Sequence, residues 1–183
     1  VQRLPDTIKG AEVVKLEVPT VFDESLRVLE TVLADVRPDL AIGVGQAGGR
    51  TGFAVERVAI NVNDARLDDN AGNRPVDTPV VAGGPAAYFA TLPIKRMVAA
   101  IHEADLPASV SNSAGTFVCN HLMYGILHLL ARDHPGARGG FIHVPYLPAQ
   151  VVDKRGKPSM ALDDVVRGLE AAIAAAVGDG DGQ

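Results

Sequence analysis

Tryptophan is absent from this 183-residue chain, aromatic residues make up only 4% of it, and cysteine occurs once, at Cys119. A lone thiol cannot close an internal disulfide, which excludes the stapled architecture of small secreted domains. No apolar run approaches the roughly 20 residues that span a bilayer, so no membrane association is expected. Cationic residues are few: 17 Lys and Arg stand against 22 Asp and Glu, a formal net charge of -5. Such a surface offers little to a phosphate backbone, and nucleic acid is not an expected partner. The opening, VQRLPDTIKG, has neither the basic start nor the apolar stretch of a signal peptide. These absences predict a soluble, cytoplasmic protein.

What remains is an ordinary globular composition, 47% hydrophobic, in a chain long enough to bury one core. Residues 1–183 are therefore read as a single domain, with 177–183 as a flexible tail. AEVVKLEV at 11–18 is Val-rich and flanked by Gly10 and Pro19, which predicts a strand. Leu26, Leu29, Val32, Leu33 and Val36 recur at helical spacing, with Asp23 placed to cap the start and Pro38 to stop the run. Leu40 to Val44 is continuously apolar, as in a strand covered on both faces. RVAINV at 57–62 predicts another strand, and 63–78 a polar loop. Helices are expected from Pro93 to about Ala104, from about Thr116 to Arg132, and from Met160 to Val177, with short strands at ASVS (108–111) and GGFIHVP (139–145). Strands and helices alternate. The expected fold is α/β, a three-layer α/β/α sandwich around a largely parallel, mixed sheet, with chemistry at loops beyond the carboxyl ends of strands.

One such place is SNSAGTFVCN at 111–120, a turn of small residues that delivers Cys119 into the first turn of a helix. Unpaired N–H groups and the helix dipole favour an anion there, which predicts a lowered thiol pKa and a nucleophile. A lone cysteine is more often a small buried hydrophobe, and the turn is what argues otherwise. A thiol nucleophile needs a base. His121 and His128 share the helix of Cys119 but do not face it, His102 lies within a helix, and His134 follows one. His143 falls at the end of the strand GGFIHVP, where active-site loops gather, although a structural histidine could also stand there. Glu56 could orient an imidazole as an acidic third member, but a glutamate alone has little to distinguish it. Gly43, Gly45 and Gly48 spell G-x-G-x-x-G after a strand, with Asp64 further on, which offers a nucleotide- or phosphate-binding reading. The stretch before Arg57 is too short for the crossover helix that such a unit needs.

Four segments, in order, resemble the pyroglutamyl peptidases, or pyrrolidone carboxyl peptidases, a family of cysteine exopeptidases. They are GQAGGRTGFAVERVAIN (45–61), ARLDDNAGNRP (65–75), SNSAGTFVCNHLMYG (111–125) and GFIHVPYLP (140–148), and VPTVF (18–22) agrees as well. The resemblance implies a Cys119, His143 and Glu56 triad that removes N-terminal pyroglutamate from peptides through a thioester, with no metal and no cofactor. It places Arg66 beside the oxyanion, and Gln46, Thr20, Leu67, Phe117 and Val118 around the pyrrolidone ring. Leu67 stands where relatives often carry isoleucine, a change that conserves volume. The resemblance also implies a homo-oligomer, with a tetramer favoured. A strand and a glycine- and phenylalanine-rich loop that open the family have no counterpart here, and residues 1–5 resemble the end of its first helix. With that segment truly absent, a central strand and one pocket wall would be gone, and poor stability and little activity would follow. A non-catalytic relative serving as an interaction module is the other open reading.

Overall fold

The computed structural model describes residues 1–178. In chain order its elements are β1 (Thr7–Ile8), β2 (Ala11–Glu12), α1 (Glu24–Val36), β3 (Leu40–Gln46), β4 (Phe53–Glu56), β5 (Val58–Ile60), β6 (Ala87–Phe89), α2 (Ile94–Glu103), β7 (Ala108–Ser111), α3 (Val118–Asp133), β8 (Arg138–Val144) and α4 (Leu162–Val177). Val177 thus belongs to a helix, and the rest of the expected tail, beyond 178, lies outside the described residues.

The central sheet runs β3-β8-β4-β7. β3 lies parallel to β8 and β4 parallel to β7, while β8 and β4 are antiparallel. The sheet is therefore mixed, as expected. Alternation along its strands sends one set of side chains to each face. Phe53, Val55, Ile142 and Val144 join α2 and α4 in one core, and Phe141 joins α1 and α3 in the other. Helices on both faces of one sheet make three layers. Nearly all of α3 from Val118 to Leu130 is buried, with apolar residues all round, as befits a helix enclosed by its neighbours.

Several elements depart from expectation. Of the strand expected at 11–18, only Ala11–Glu12 pairs, in a hairpin with Thr7–Ile8. The turn between them is Lys9 and Gly10, both at positive φ, the geometry that suits a two-residue hairpin. Residues 1–5, which resembled a helix end, form a turn closed by the Leu4 N–H on Val1 O. The strand expected at 57–62 contracts to Val58–Ile60, which pairs with Ala87–Phe89 in a separate ribbon. The preceding Phe53–Glu56 is a central strand instead, and it escaped notice because all four residues are buried and no alternation marks them. Asp23 occupies the N-cap position of α1 at φ 57° but makes no side-chain cap.

The G-x-G-x-x-G match is resolved by packing. Gly43 and Gly45 lie inside β3, paired with Phe141 and His143, and β4 follows with no intervening helix. A Cβ on Gly43 would stand 2.4 Å from the Phe141 ring. These glycines make room for side chains and not for a phosphate. Gly43→Ala should destabilise the fold by about 1–3 kcal/mol, the usual cost of overpacking, read as a lower urea midpoint with an unchanged slope.

Candidate active site

Three strands and one helix bring the sequence-predicted residues to one place. Glu56, the last residue of β4, is the register partner of Phe141 on β8, and His143 lies two residues further along that strand. Directly opposed residues and those two apart share a face, so Glu56, Phe141 and His143 all point toward α3. The result is a hydrogen bond of 2.7 Å between His143 Nδ1 and Glu56 Oε1, with the carboxylate fully buried and the imidazole 4% exposed. The carboxylate accepts from Nδ1–H, and in the neutral ring that tautomer has its lone pair on Nε2. On the other side of β8, Gly45 pairs with His143. A Cβ added to Gly45 would sit 3.1 Å from Cys119 Sγ. The missing side chain lets the start of α3 settle onto the sheet beside the imidazole. Among the described residues no hydrogen bond joins the thiol to His143. The acid–imidazole couple is formed, and the sulfur lies over Gly45, the register partner of His143.

Two further residues at this place were not singled out in the sequence. The Phe141 ring packs against His143 at 4.9 Å between centroids. The guanidinium of Arg50 lies 3.4 Å from Glu56 Oε1 and 3.5 Å from Ser111 Oγ. Arg50 partly offsets the cost of burying a carboxylate, whose other oxygen, Oε2, has no hydrogen-bond partner. A nearby arginine in GQAGGR was a weak signal, since only the β4–β7 pairing brings Ser111 and Glu56 together.

The residues expected to line a pocket divide into two groups. Phe117 and Val118 pack with Phe22 and Ala65 in a small apolar cluster separate from both cores. Thr20, Arg66 and Leu67 lie on exposed segments tied to that cluster. The Asn70 N–H donates to Thr20 O, the Phe22 N–H to Asp69 Oδ2, and the Asp64 N–H to Thr116 O, three residues before Cys119. Asp69 also accepts from the backbone of Ala71 and Asn73. Desolvation opposes its charge, but the bonds from Asn73, Phe22 and Ala71 prevail and hold its pKa at about 2. Gln46, the last residue of β3, donates from Nε2 to Gln150 Oε1 at 2.6 Å. A concavity of about 270 Å³ lined by Tyr88, Phe89, Leu130 and His134 lies at the far end of α3 and contains none of the candidate residues. Among the described residues, no group of three His, Cys, Asp or Glu side chains is gathered to hold a metal ion.

The model of the pyroglutamyl peptidase family matches residues 1–179. The chain belongs to that family. It is 59% identical to a pyrrolidone-carboxylate peptidase of Streptococcus pyogenes over 97% of its own length and 82% of the relative's. Among solved structures it is similar to the pyroglutamyl peptidase I of Bacillus amyloliquefaciens, with TM-score 0.90 and 49% identity over 94% of this chain and 83% of that one. A mutant pyrrolidone carboxyl peptidase from Pyrococcus furiosus aligns with TM-score 0.92 and 42% identity, covering 96% and 87%.

For this member of the pyroglutamyl peptidase family the state of the thiol differs from the sequence expectation. The uncapped start of α3 should favour an anion, yet burial, aided by the charge of Glu56, raises the Cys119 pKa to about 11. At neutral pH only about one thiol in ten thousand would then be ionised. Alkylation of Cys119 by iodoacetamide should be slow near pH 7 and accelerate with each step in pH up to about 10, without an earlier plateau. A plateau below pH 8 in the rate profile would show a preformed thiolate.

Proposed function

We propose that this chain removes pyroglutamate (5-oxoproline) from the amino terminus of peptides, with Cys119 as nucleophile, His143 as general acid and base, and Glu56 orienting the imidazole. The observation that carries this reading is the buried 2.7 Å bond between His143 Nδ1 and Glu56 Oε1, which in the neutral ring leaves the lone pair on Nε2, with Cys119 Sγ over Gly45, the register partner of His143. Family membership supports the substrate class, and residues 1–183 are taken as one peptidase domain. Pyroglutamate has no free amino group, so its site needs no acidic anchor. The ring would rest against Phe117 and Val118, with Thr20, Leu67 and Gln46 around it.

A largely neutral thiol sets the order of proton movements. Nε2 of His143 takes the Sγ proton as sulfur attacks the carbonyl after pyroglutamate, in the manner of a hydroxyl nucleophile and not of a resting ion pair. The oxyanion is met by N–H groups at the start of α3, where Phe117 is extended and no side chain caps the helix. In the same reading Arg66 assists at the oxyanion. The imidazolium, steadied by Glu56, returns the proton to the leaving amine. Water then attacks the thioester with Nε2 again as base, releasing pyroglutamate and restoring the thiol. No step calls for a metal or an organic cofactor.

A cytoplasmic location suits a single free thiol, and no helix among the described residues is long and apolar enough to cross a membrane. A homo-oligomer, with a tetramer favoured, is part of the same reading, and exposed apolar side chains such as Val76 and Phe89 offer surface for it. Hydrolysis of a fluorogenic pyroglutamyl amide is the direct test. Cys119→Ala and His143→Ala should abolish it, and Glu56→Gln should lower kcat by roughly 10²–10⁴ with the fold retained. Full activity in Cys119→Ala would end the thiol mechanism, and loss of activity to a chelator would point to a metal.

A further inference from the structure

The reaction uses one histidine of the site and leaves a second, fully buried one unassigned. His121 sits two residues along α3 from Cys119 with no exposed surface. Both of its ring nitrogens are engaged: the Asp23 N–H donates to Nε2 at 3.1 Å, and Nδ1 stands 2.9 Å from Asn63 Oδ1. A backbone N–H can only donate, so Nε2 is the acceptor and the ring proton is on Nδ1, donated to Asn63. Burial lowers the ring's pKa and outweighs the upward pull of the Asp23 carboxylate, 3.9 Å away, so the neutral form that this pattern requires prevails at neutral pH.

Three pieces of the site meet on this ring. Asp23 and Phe22 close the segment that carries Thr20, and Phe22 stands edge-on to both His121 and Phe117 at 5.3 Å. Asn63 begins the loop that carries Arg66 and Leu67, and its backbone exchanges two hydrogen bonds with Thr78 at the loop's other end. His121 itself belongs to the helical turn that presents Cys119. Deleting an interaction with either nitrogen removes a tie between one wall and the nucleophile's helix without touching Glu56 or His143; on the loop side Asn120 to Val62 O and Thr116 to Asp64 remain.

We propose that His121 is a positioning residue that fastens the Thr20 segment and the Arg66 loop to the helix of Cys119, and so governs substrate binding more than the chemical step. This rests on the pyroglutamyl peptidase reading for what is bound, but the clamp itself can be measured without turnover. His121→Asn keeps a donor toward Asn63 and loses the acceptor for Asp23. His121→Gln can restore an acceptor near the position of Nε2. In amide hydrogen exchange the Asp23 N–H should be strongly protected in the parent protein and in His121→Gln, and exposed in His121→Asn, with the core of α3 protected throughout. On a fluorogenic pyroglutamyl amide, His121→Asn should raise KM by about tenfold or more, the scale of one lost buried hydrogen bond, with kcat changed far less. His121→Gln, which keeps the acceptor for Asp23 but gives up the donor toward Asn63, should raise KM as well, with the loosening read as faster exchange at Thr78 and not at Asp23. Unchanged Asp23 protection in His121→Asn, or a fall in kcat at constant KM, would overturn the proposal. Should that variant not fold, Asn63→Ala breaks the Nδ1 contact from the loop side, and the same KM and kcat criteria apply with exchange followed at Thr78. A parent protein that hydrolyses no pyroglutamyl amide would refute the functional reading, while exchange at Asp23 would still decide the clamp.

Discussion

Removing a carboxylate entirely from water costs several kcal/mol unless its charge is answered by close partners, and Glu56 is such a carboxylate at the centre of this protein. Its Oε1 is met by His143 and approached by Arg50. That arrangement needs β4 to run antiparallel to β8 and parallel to β7, since only this mixture puts Glu56 diagonally across from His143 and beside Ser111. The topology of the sheet and the location of the site are consequences of the same pairing.

The same buried charge shapes the chemistry above it. Cys119 lies against a strand made bare by Gly45 and within the field of Glu56. Helix-end N–H groups attract an anion, but desolvation and a neighbouring negative charge oppose it, and here the opposition is stronger. An enclosed neutral thiol is less open to adventitious oxidation than an exposed thiolate.

Much of this was legible from residue order. Helical periodicity placed α1, α2, α3 and α4 within a few residues, because each buries one face or more. The position of His143 at a strand end and of Cys119 after a glycine-containing turn followed from local patterns. Glu56 did not: its strand is buried on both faces, so alternation, the usual signal, is absent. Residues 11–18 misled for the opposite reason, since β propensity is realised only where a partner strand supplies the ladder. His121 was set aside because residues two apart on a helix diverge. That divergence is what turns it toward Asp23 and Asn63 while Cys119 faces the sheet.

By itself, then, the order of residues determined the alternation of strands and helices and, through four segments that resemble it, the family. Tertiary structure alone decided the antiparallel crossing of β4 and β8, the 2.7 Å approach of His143 to Glu56, and the burial that raises the pKa of the thiol. Each of these depends on distances between groups far apart in the chain and on how much water is excluded between them, quantities that no local periodicity encodes.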